Sequence, residues 1–452
     1  MDLEKIHIYH TNDVHSHLES WPRTRSYLQE RRAFHEQHDE ACFVLDIGDF
    51  IDRSNIFTEA TLGKSSVTLL NEAKYDAVTI GNNEGITLAK EALNQLYDQA
   101  DFDIIVNNLK ESNGEMPAWA QPYHVYTLAS GVKLAVVAAT APFPDYYNNL
   151  GWRIDDPFTC LHESIAEARK KADIIVCMSH LGLTADERLA EQEGDVTLIF
   201  GSHTHHVLEQ GKYINQSLLT GGGKYGRYIG HSIIHFDDGV QHVETELIET
   251  ASLPPERGEH REVAAQQRYG EELLDVEVFE TTRFYNKEWY HYSKLSHFFA
   301  EALLDFSDAD CAFFNAGIFL TDMNKGAVTA LDIHRMLPHP INACVVELTE
   351  AQLREMLAII DDAHDWPRRE LRGLGFRGNV VGKMLTYHIT QKDGNLVVDG
   401  KPLVPGDTVK VVTLDMFTFG WFFPELKVLP KTYLLPQFLR DILTIYGYKY
   451  FA

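Results

Sequence analysis

Seven side chains from the first half of the chain form an ordered set of donors: Asp13, His15, Asp49, Asn82, His180, His203 and His205. Each follows a short apolar run and sits in a polar cluster, Thr11-Asn12-Asp13-Val14-His15, Gly48-Asp49, Gly81-Asn82-Asn83-Glu84, Ser179-His180 and Gly201-Ser202-His203-Thr204-His205. Carboxylate and amide oxygens mixed with four imidazoles suit Mn, Zn, Fe or Co better than Ca or Mg alone. One carboxylate has two oxygens, so a single Asp can face two ions, and seven donors are enough for two divalent metal ions. Such a pair lowers the pKa of a bound water, clamps phosphate oxygens and neutralises charge in an in-line displacement. Taken singly, Asp or Asn at a strand end is an ordinary turn residue; the ordered series is what points to metal.

The elements that must position these groups read as strands buried on both faces, over 5–10, 42–46, 76–80, 174–178 and 196–200. Open α/β sheets carry ligands at the carboxyl ends of such strands. Between them, residues 23–38, 88–99 and 159–172 carry helical patterns. Alternation of strand and helix to about residue 245 predicts a layered α/β domain with mixed sheets. Leu253-Pro254-Pro255-Glu256 is a turn signal, and the charged stretch 261–280 predicts one helix acting as a linker or hinge. A second α/β unit follows, with helices over 292–305 and 350–360 and strands over 309–314 and 408–414. The organisation expected is a domain over 1–250, a helical linker over 251–285 and a smaller domain over 286–452.

Length and charge set limits. A chain of 452 residues exceeds one compact core, so two domains are expected. The 40 basic and 66 acidic residues give a net charge of -26, which argues against a nucleic-acid polymer as partner. A small phosphate ligand remains compatible, since bound cations invert the local field. The cysteines, Cys42, Cys160, Cys177, Cys311 and Cys344, are odd in number and far apart, so no disulfide framework is expected. No apolar run reaches the length of a membrane span, and the first strand begins at about residue 5, which leads to the expectation of a cytoplasmic protein with no membrane partner. The oligomeric state is not legible.

The fragments His10-Thr11-Asn12-Asp13-Val14-His15-Ser16, Gly48-Asp49, Gly81-Asn82-Asn83-Glu84 and Gly201-Ser202-His203-Thr204-His205 resemble the dinuclear metallophosphoesterases. More narrowly, nearly the whole chain is similar to the 5′-nucleotidase / UDP-sugar hydrolase / 2′,3′-cyclic phosphodiesterase family. The resemblance implies a four-layer α/β sandwich with a smaller C-terminal α/β substrate domain joined by a helix. It implies that Asp13, His15, Asp49 and His205 hold one metal, and that Asp49, Asn82, His180 and His203 hold the other. It implies hydrolysis of a nucleotide or related small phosphoester by a metal-bridging hydroxide, 5′-nucleotidase-type release of phosphate being expected, and rotation of the second domain about the linker.

The chain departs from that family at two places. Where the family reads Gly-Asn-His-Glu, an aromatic residue and Asp, this chain has Asn83 at the His position and Gly85-Ile86 beyond, so the acid dyad is missing. Asn83 is expected to donate a neutral hydrogen bond to a phosphoryl oxygen, and His17 is the expected surrogate acid, with His206 also in reach by sequence. A positioned acid or base contributes typically ~10²–10⁴ in rate, so reduced activity is expected rather than none. In the second domain Phe314-Asn315-Ala316-Gly317-Ile318-Phe319 resembles the substrate turn, with Phe319 replacing its arginine. Asn315 and Gly317 are therefore expected at the substrate, and His339 stands where a base-stacking aromatic is expected. Met416 occupies the second stacking position, so Phe417 and Phe419 are the expected replacements, and Arg372 or Arg377 is expected to grip phosphate through its guanidinium fork. These departures leave two alternatives open: a 2′,3′-cyclic or other phosphodiesterase or nucleotide-sugar hydrolase, and a weakly active nucleotide-binding sensor.

Overall fold

The computed structural model describes residues 4–362, 366–368, 375–392 and 394–451. The chain divides into two units, Met1–Gly270 and Glu271–Ala452.

In the first unit two six-stranded sheets lie face to face. One runs in the order Val240–Glu249, Tyr228–Phe236, Glu4–Thr11, Ala41–Asp46, Ala77–Val78, Asp103–Ile104. The other runs Lys212–Ile214, Ser217–Gly221, Leu198–Gly201, Ile174–His180, Lys133–Thr140, Tyr123–Thr127. Ile6, Ile8 and Leu45 of the first meet Val136, Val176 and Phe200 of the second, all fully buried. Each such side chain contributes roughly 1.5–3 kcal/mol relative to exposure. The reverse face of the second sheet, Val137, Ile175 and Cys177, is covered by Leu161, Ile165 and Leu189 of the helices Pro157–Ala168 and Leu183–Gln192. The helix Trp21–Gln37 covers the reverse face of the first: Tyr27 meets Tyr9 edge-on, and Arg32 bonds Asp76 and the Cys42 carbonyl. Helix, sheet, sheet and helix make four layers.

Each sheet has a parallel core, with antiparallel strands toward its edges; in the first sheet Tyr228–Phe236 runs antiparallel to Glu4–Thr11. Glu4–Thr11 pairs in parallel with Ala41–Asp46, and Ile174–His180 with Lys133–Thr140 and Leu198–Gly201. Parallel strands present their carboxyl ends at one edge, and the polar clusters all lie there.

Two expected elements are corrected. Residues 88–99 do not form one helix: Asn82–Thr87 is already helical, Leu88 and Ala89 are extended, and Lys90–Leu96 is a separate helix. The early start follows from Glu84, whose carboxylate accepts from the Gly81 backbone N–H and so caps the first turn. Residues 261–280 are not one helix either. Glu259–Leu274 is helical and Glu277–Thr281 is a strand. There Phe279 and Thr281 are buried and Glu280 between them is exposed, a strand alternation that overrides the charge pattern.

The second unit holds a five-stranded mixed sheet in the order Met384–Tyr387, Cys311–Asn315, Thr408–Leu414, Asn342–Thr349, Lys431–Phe438. Cys311–Asn315 and Thr408–Leu414 are parallel, so Asn315 and Asp415 leave the sheet at the same end. The helices Lys294–Ser307 and Leu439–Phe451 cover the sheet, the first capped by Ser293 Oγ accepting from the Ser296 N–H at 3.0 Å.

Candidate metal centre

The strand ends bring six of the seven predicted donors into two groups. Asp13, His15 and His205 each offer an atom within 4.8 Å of the others, and Asp49, His180 and His203 do the same. The groups meet at Asp49, whose Oδ2 faces His180 Nε2 at 3.4 Å and His15 Nε2 at 3.8 Å. Asp13 Oδ1 faces His205 Nε2 at 3.4 Å and His15 Nε2 at 3.8 Å.

The backbone bends sharply to do this. Asp13, His15, Asp49, His203 and His205 all have positive φ, between 49° and 71°. Left-handed backbone at a residue other than glycine costs of order 1–3 kcal/mol and persists where surroundings over-determine it. Here they do: Asp13 N–H donates to the Gly48 carbonyl and His15 N–H to the Asp49 carbonyl, tying two strand ends together. Gly48 has φ of 86° and no room for a side chain, since a Cβ would fall 2.4 Å from the Gly81 nitrogen.

Asp13, Asp49 and His180 are each held so that one atom faces the centre. His180 Nδ1 donates to the Ile47 carbonyl at 2.7 Å, which orients the ring with Nε2 toward Asp49. That Nε2 and the Asn82 Oδ1 are buried and have no hydrogen-bond partner. Both atoms suit a divalent cation: a buried amide oxygen without a donor otherwise costs about 1–3 kcal/mol, and His180 Nε2 stands 3.4 Å from Asp49 Oδ2. Asp13 Oδ2 accepts from Asn12 Nδ2 at 2.7 Å and Ser202 Oγ at 2.6 Å, turning Oδ1 toward the histidines. Asp49 Oδ1 accepts from the Asn83 N–H at 2.7 Å, turning Oδ2 the same way. Burial alone would raise both carboxyls, but the facing imidazoles outweigh it and hold Asp13 and Asp49 below the usual range. Burial likewise opposes charge on His180, yet Asp49 pushes it up to about 10. His203 is brought down to about 4 by burial and by His180.

The whole chain is 38% identical to an uncharacterized metallophosphoesterase, YunD, of Bacillus subtilis, over 97% of this chain and 98% of that one. The chain is a metallophosphoesterase. Its residues 6–207 match the calcineurin-like phosphoesterase family and residues 274–421 the 5′-nucleotidase C-terminal domain. The fold is shared with the NAD nucleotidase of Haemophilus influenzae, at 15% identity and a TM-score of 0.68 over 100% of this chain and 97% of that one. It is also shared with a putative 5′-nucleotidase of Staphylococcus aureus, at 16% identity and a TM-score of 0.67 over 98% and 96%.

The other residues singled out in the first unit of this metallophosphoesterase lie around these donors. The Asn83 amide, expected at a phosphoryl oxygen, is engaged by the chain's own groups. Its Nδ2 lies 2.9 Å from His15 Nδ1 and donates to the Ile51 carbonyl at 2.8 Å, so the side chain positions His15. His17 turns to Glu19 at 3.8 Å and lies against the Tyr225 ring at 3.9 Å, with its side chain 44% exposed, whereas the ring of His15 meets Tyr225 from another side. The aromatic residue absent at position 85 is supplied from elsewhere: a Cβ on Gly85 would fall 2.0 Å from the Tyr147 hydroxyl, so Tyr147 fills that space. Sequence reading also passed over the work of Glu84. Its buried carboxylate accepts from the Asp49, Ile51 and Gly81 N–H groups, and burial, with Asp49 beside it, raises it to about 7.

In the second unit Asn315, Gly317, His339 and Arg377 do converge, through their loops rather than toward an open face. Asn315 is fully buried and donates to the Val381 carbonyl at 2.7 Å, while its Oδ1 has no hydrogen-bond partner. Gly317 lets the Val380 carbonyl approach, where a Cβ would stand 1.9 Å away. His339 is no stacking platform for a base. It is fully buried, its Nε2 donates to the Ile318 carbonyl at 2.7 Å, its Nδ1 accepts from the Arg377 N–H, and its ring lies on Phe376. Arg377 Nη1 donates to the Phe376 carbonyl at 3.1 Å. Phe417 is likewise core, packed on Phe313, Phe422 and Phe423 with no exposed surface. Phe419 is half-buried at the end of the short helical turn Asp415–Phe419. Arg372 lies outside the described residues.

Proposed function

We propose that this metallophosphoesterase releases phosphate from nucleotides or related small phosphoesters, in the manner of a 5′-nucleotidase, with two divalent ions. The observation that carries the reading is the single Asp49 oxygen facing a histidine of each group. Asp13, His15, Asp49 and His205 would hold one ion and Asp49, Asn82, His180 and His203 the other, supplying Lewis-acid activation of water and neutralisation of phosphoryl charge. The imidazole-rich donor set favours Mn, Zn, Fe or Co. Around that centre the chain's own groups orient: Ile47 fixes His180, Asn83 holds His15, and Asn12 and Ser202 hold Asp13. The test is phosphate release from AMP, UMP, NAD and a UDP-sugar after chelator treatment and return of Mn, Zn, Co, Fe or Mg in turn. Release that no metal restores on any substrate overturns the proposal.

One observation favours a second reading. With the Asn83 amide committed to His15 and Ile51, no side-chain acid stands at that position to protonate a poor leaving group. This supports activity on diesters or other substrates with good leaving groups. Faster turnover of bis-p-nitrophenyl phosphate or a 2′,3′-cyclic nucleotide than of p-nitrophenyl phosphate or AMP decides for it. The reading carries a cytoplasmic setting, supported by five free thiols. Recovery of the protein from the cell envelope or medium on fractionation overturns that part.

A further inference from the structure

Away from the centre just described, the reverse face of the first sheet carries three histidines that converge. His7 comes from the strand Glu4–Thr11, His231 from the strand Tyr228–Phe236, and His35 from the last turn of the helix Trp21–Gln37. A ring nitrogen of each lies within 4.8 Å of the others, and all three are buried. His7 sits four residues before the strand's carboxyl end, about 13 Å along it at ~3.3 Å per residue, so the cluster is separate from the Asp13–Asp49 centre.

We propose that His7 Nε2, His35 Nδ1 and a Glu40 carboxylate oxygen form a third metal site, for Zn²⁺ or a similar borderline divalent ion. Glu40 Oε2 lies 2.7 Å from His35 Nδ1 and 3.5 Å from His7 Nε2, so one carboxylate faces both nitrogens. His7 Nε2 has no hydrogen-bond partner, and the His7 side chain is only 7% exposed. A buried imidazole nitrogen without a donor, beside a carboxylate that already meets a second imidazole, supplies the donors of a two-His-one-Glu set; the His7 and His35 rings stack at 3.9 Å and 25°, so one ring turns when both lone pairs meet one ion. The Glu40 side chain is 27% exposed, which leaves an entry path.

The outer contacts are those a metal-bound histidine needs. His7 Nδ1 lies 3.0 Å from His231 Nε2, and His231 Nδ1 lies 3.0 Å from Glu246 Oε1. With His7 Nε2 given to a metal, Nδ1 carries the proton and donates to His231, which donates to Glu246. His35 Nε2 lies 3.0 Å from the Tyr9 hydroxyl, so the His35 proton moves from Nδ1 to Nε2 and is received there. Such partners fix the tautomer and ring orientation of metal ligands. Burial keeps the rings in the neutral, ligating form: His7 is lowered to about 4, and His35 and His231 are lowered as well. An ion here would staple the helix Trp21–Gln37 and its following turn to the sheet.

The experiment is a zinc count by mass spectrometry after loading with Zn²⁺ and gel filtration, on the wild type, His35→Gln and Glu40→Gln. The expected result is one zinc fewer per chain in each variant, with phosphate release within about twofold of wild type. Because the count is a difference, it stands whether or not the other centre fills. Loading with Co²⁺ adds a second readout: a visible band of four-coordinate cobalt present in wild type and reduced in both variants. Equal zinc content in wild type and variants overturns the site. Loss of all zinc and all activity in both variants also overturns it, since the cluster would then be a requirement of the fold rather than a separate site.

Discussion

Asp49 and His180 meet oxygen to nitrogen at 3.4 Å, both buried, and the same Asp49 oxygen also looks toward His15 at 3.8 Å. That shared oxygen predicts an asymmetry between ligands. Asp49→Asn is expected to weaken both ions and to lower phosphate release by at least about 10²-fold, the scale of removing one preorganised electrostatic group. His180→Asn is expected to empty one position and leave the other. Metal stoichiometry measured on both variants checks this. Equal loss from both would contradict the shared role of Asp49.

Asn83 holds His15 at 2.9 Å, so its removal should act through metal. Asn83→Ala is expected to weaken metal affinity by about 10–100-fold, the usual cost of removing a partner of a metal ligand. At saturating metal the turnover number should recover most of its value. A turnover defect that saturating Mn²⁺ leaves untouched would return Asn83 to a direct part in the reaction.

Gly85 predicts a packing effect. With Tyr147 2.0 Å from where a Cβ would stand, Gly85→Ala is expected to destabilise the first unit by about 1–3 kcal/mol through overpacking. The midpoint of denaturant unfolding measures it. An unchanged midpoint would mean that Tyr147 moves aside freely.

Asp186 predicts a pH dependence. It is fully enclosed, bonds Ser179 Oγ, and burial raises it from 3.8 to about 8. The folded state therefore holds a proton that the unfolded chain releases from about pH 4 upward. Its contribution is complete below the unfolded pKa and is lost as pH rises toward the folded one. Asp186→Asn mimics the protonated form. The melting temperature of the wild type should fall relative to that variant between pH 4 and pH 8, as calorimetry across that range would show.

His339 and Phe417 predict stability effects where substrate effects were expected. Phe417→Ala is expected to cost about 3–5 kcal/mol, the range for a large core truncation. His339→Ala leaves the Ile318 carbonyl and the Arg377 N–H without their side-chain partner and should cost about 1–3 kcal/mol. Thermal unfolding reads both. An unchanged melting temperature with a raised KM would restore the substrate role.

The strand ends were legible because buried parallel strands write themselves as apolar runs, and Asp13, Asp49, His180 and His203 each sit at or just past the close of one. What lay between side chains was not legible. Asn83 looked like a lost acid because its partner, His15, is 68 positions away and meets it only through a turn. Tyr147 gave no sign of filling the gap at Gly85, since that fit depends on the approach of two helices. Phe417 and Phe419 stand two apart with the same chemistry, and only the sheet above them separates core from rim. His7 and His231 lie 224 residues apart and carry no motif. Strand 277–281 hid in a charged stretch because it is only five residues long and alternates only over 279–281.

The left-handed turns at His15, His203 and His205 make the donors a burden on the fold that holds them. Glycine at any of these positions would relieve backbone strain of order 1–3 kcal/mol while deleting an imidazole. The imidazoles are thus aimed at a cost to their own backbone, a cost that an occupant of the pocket would offset.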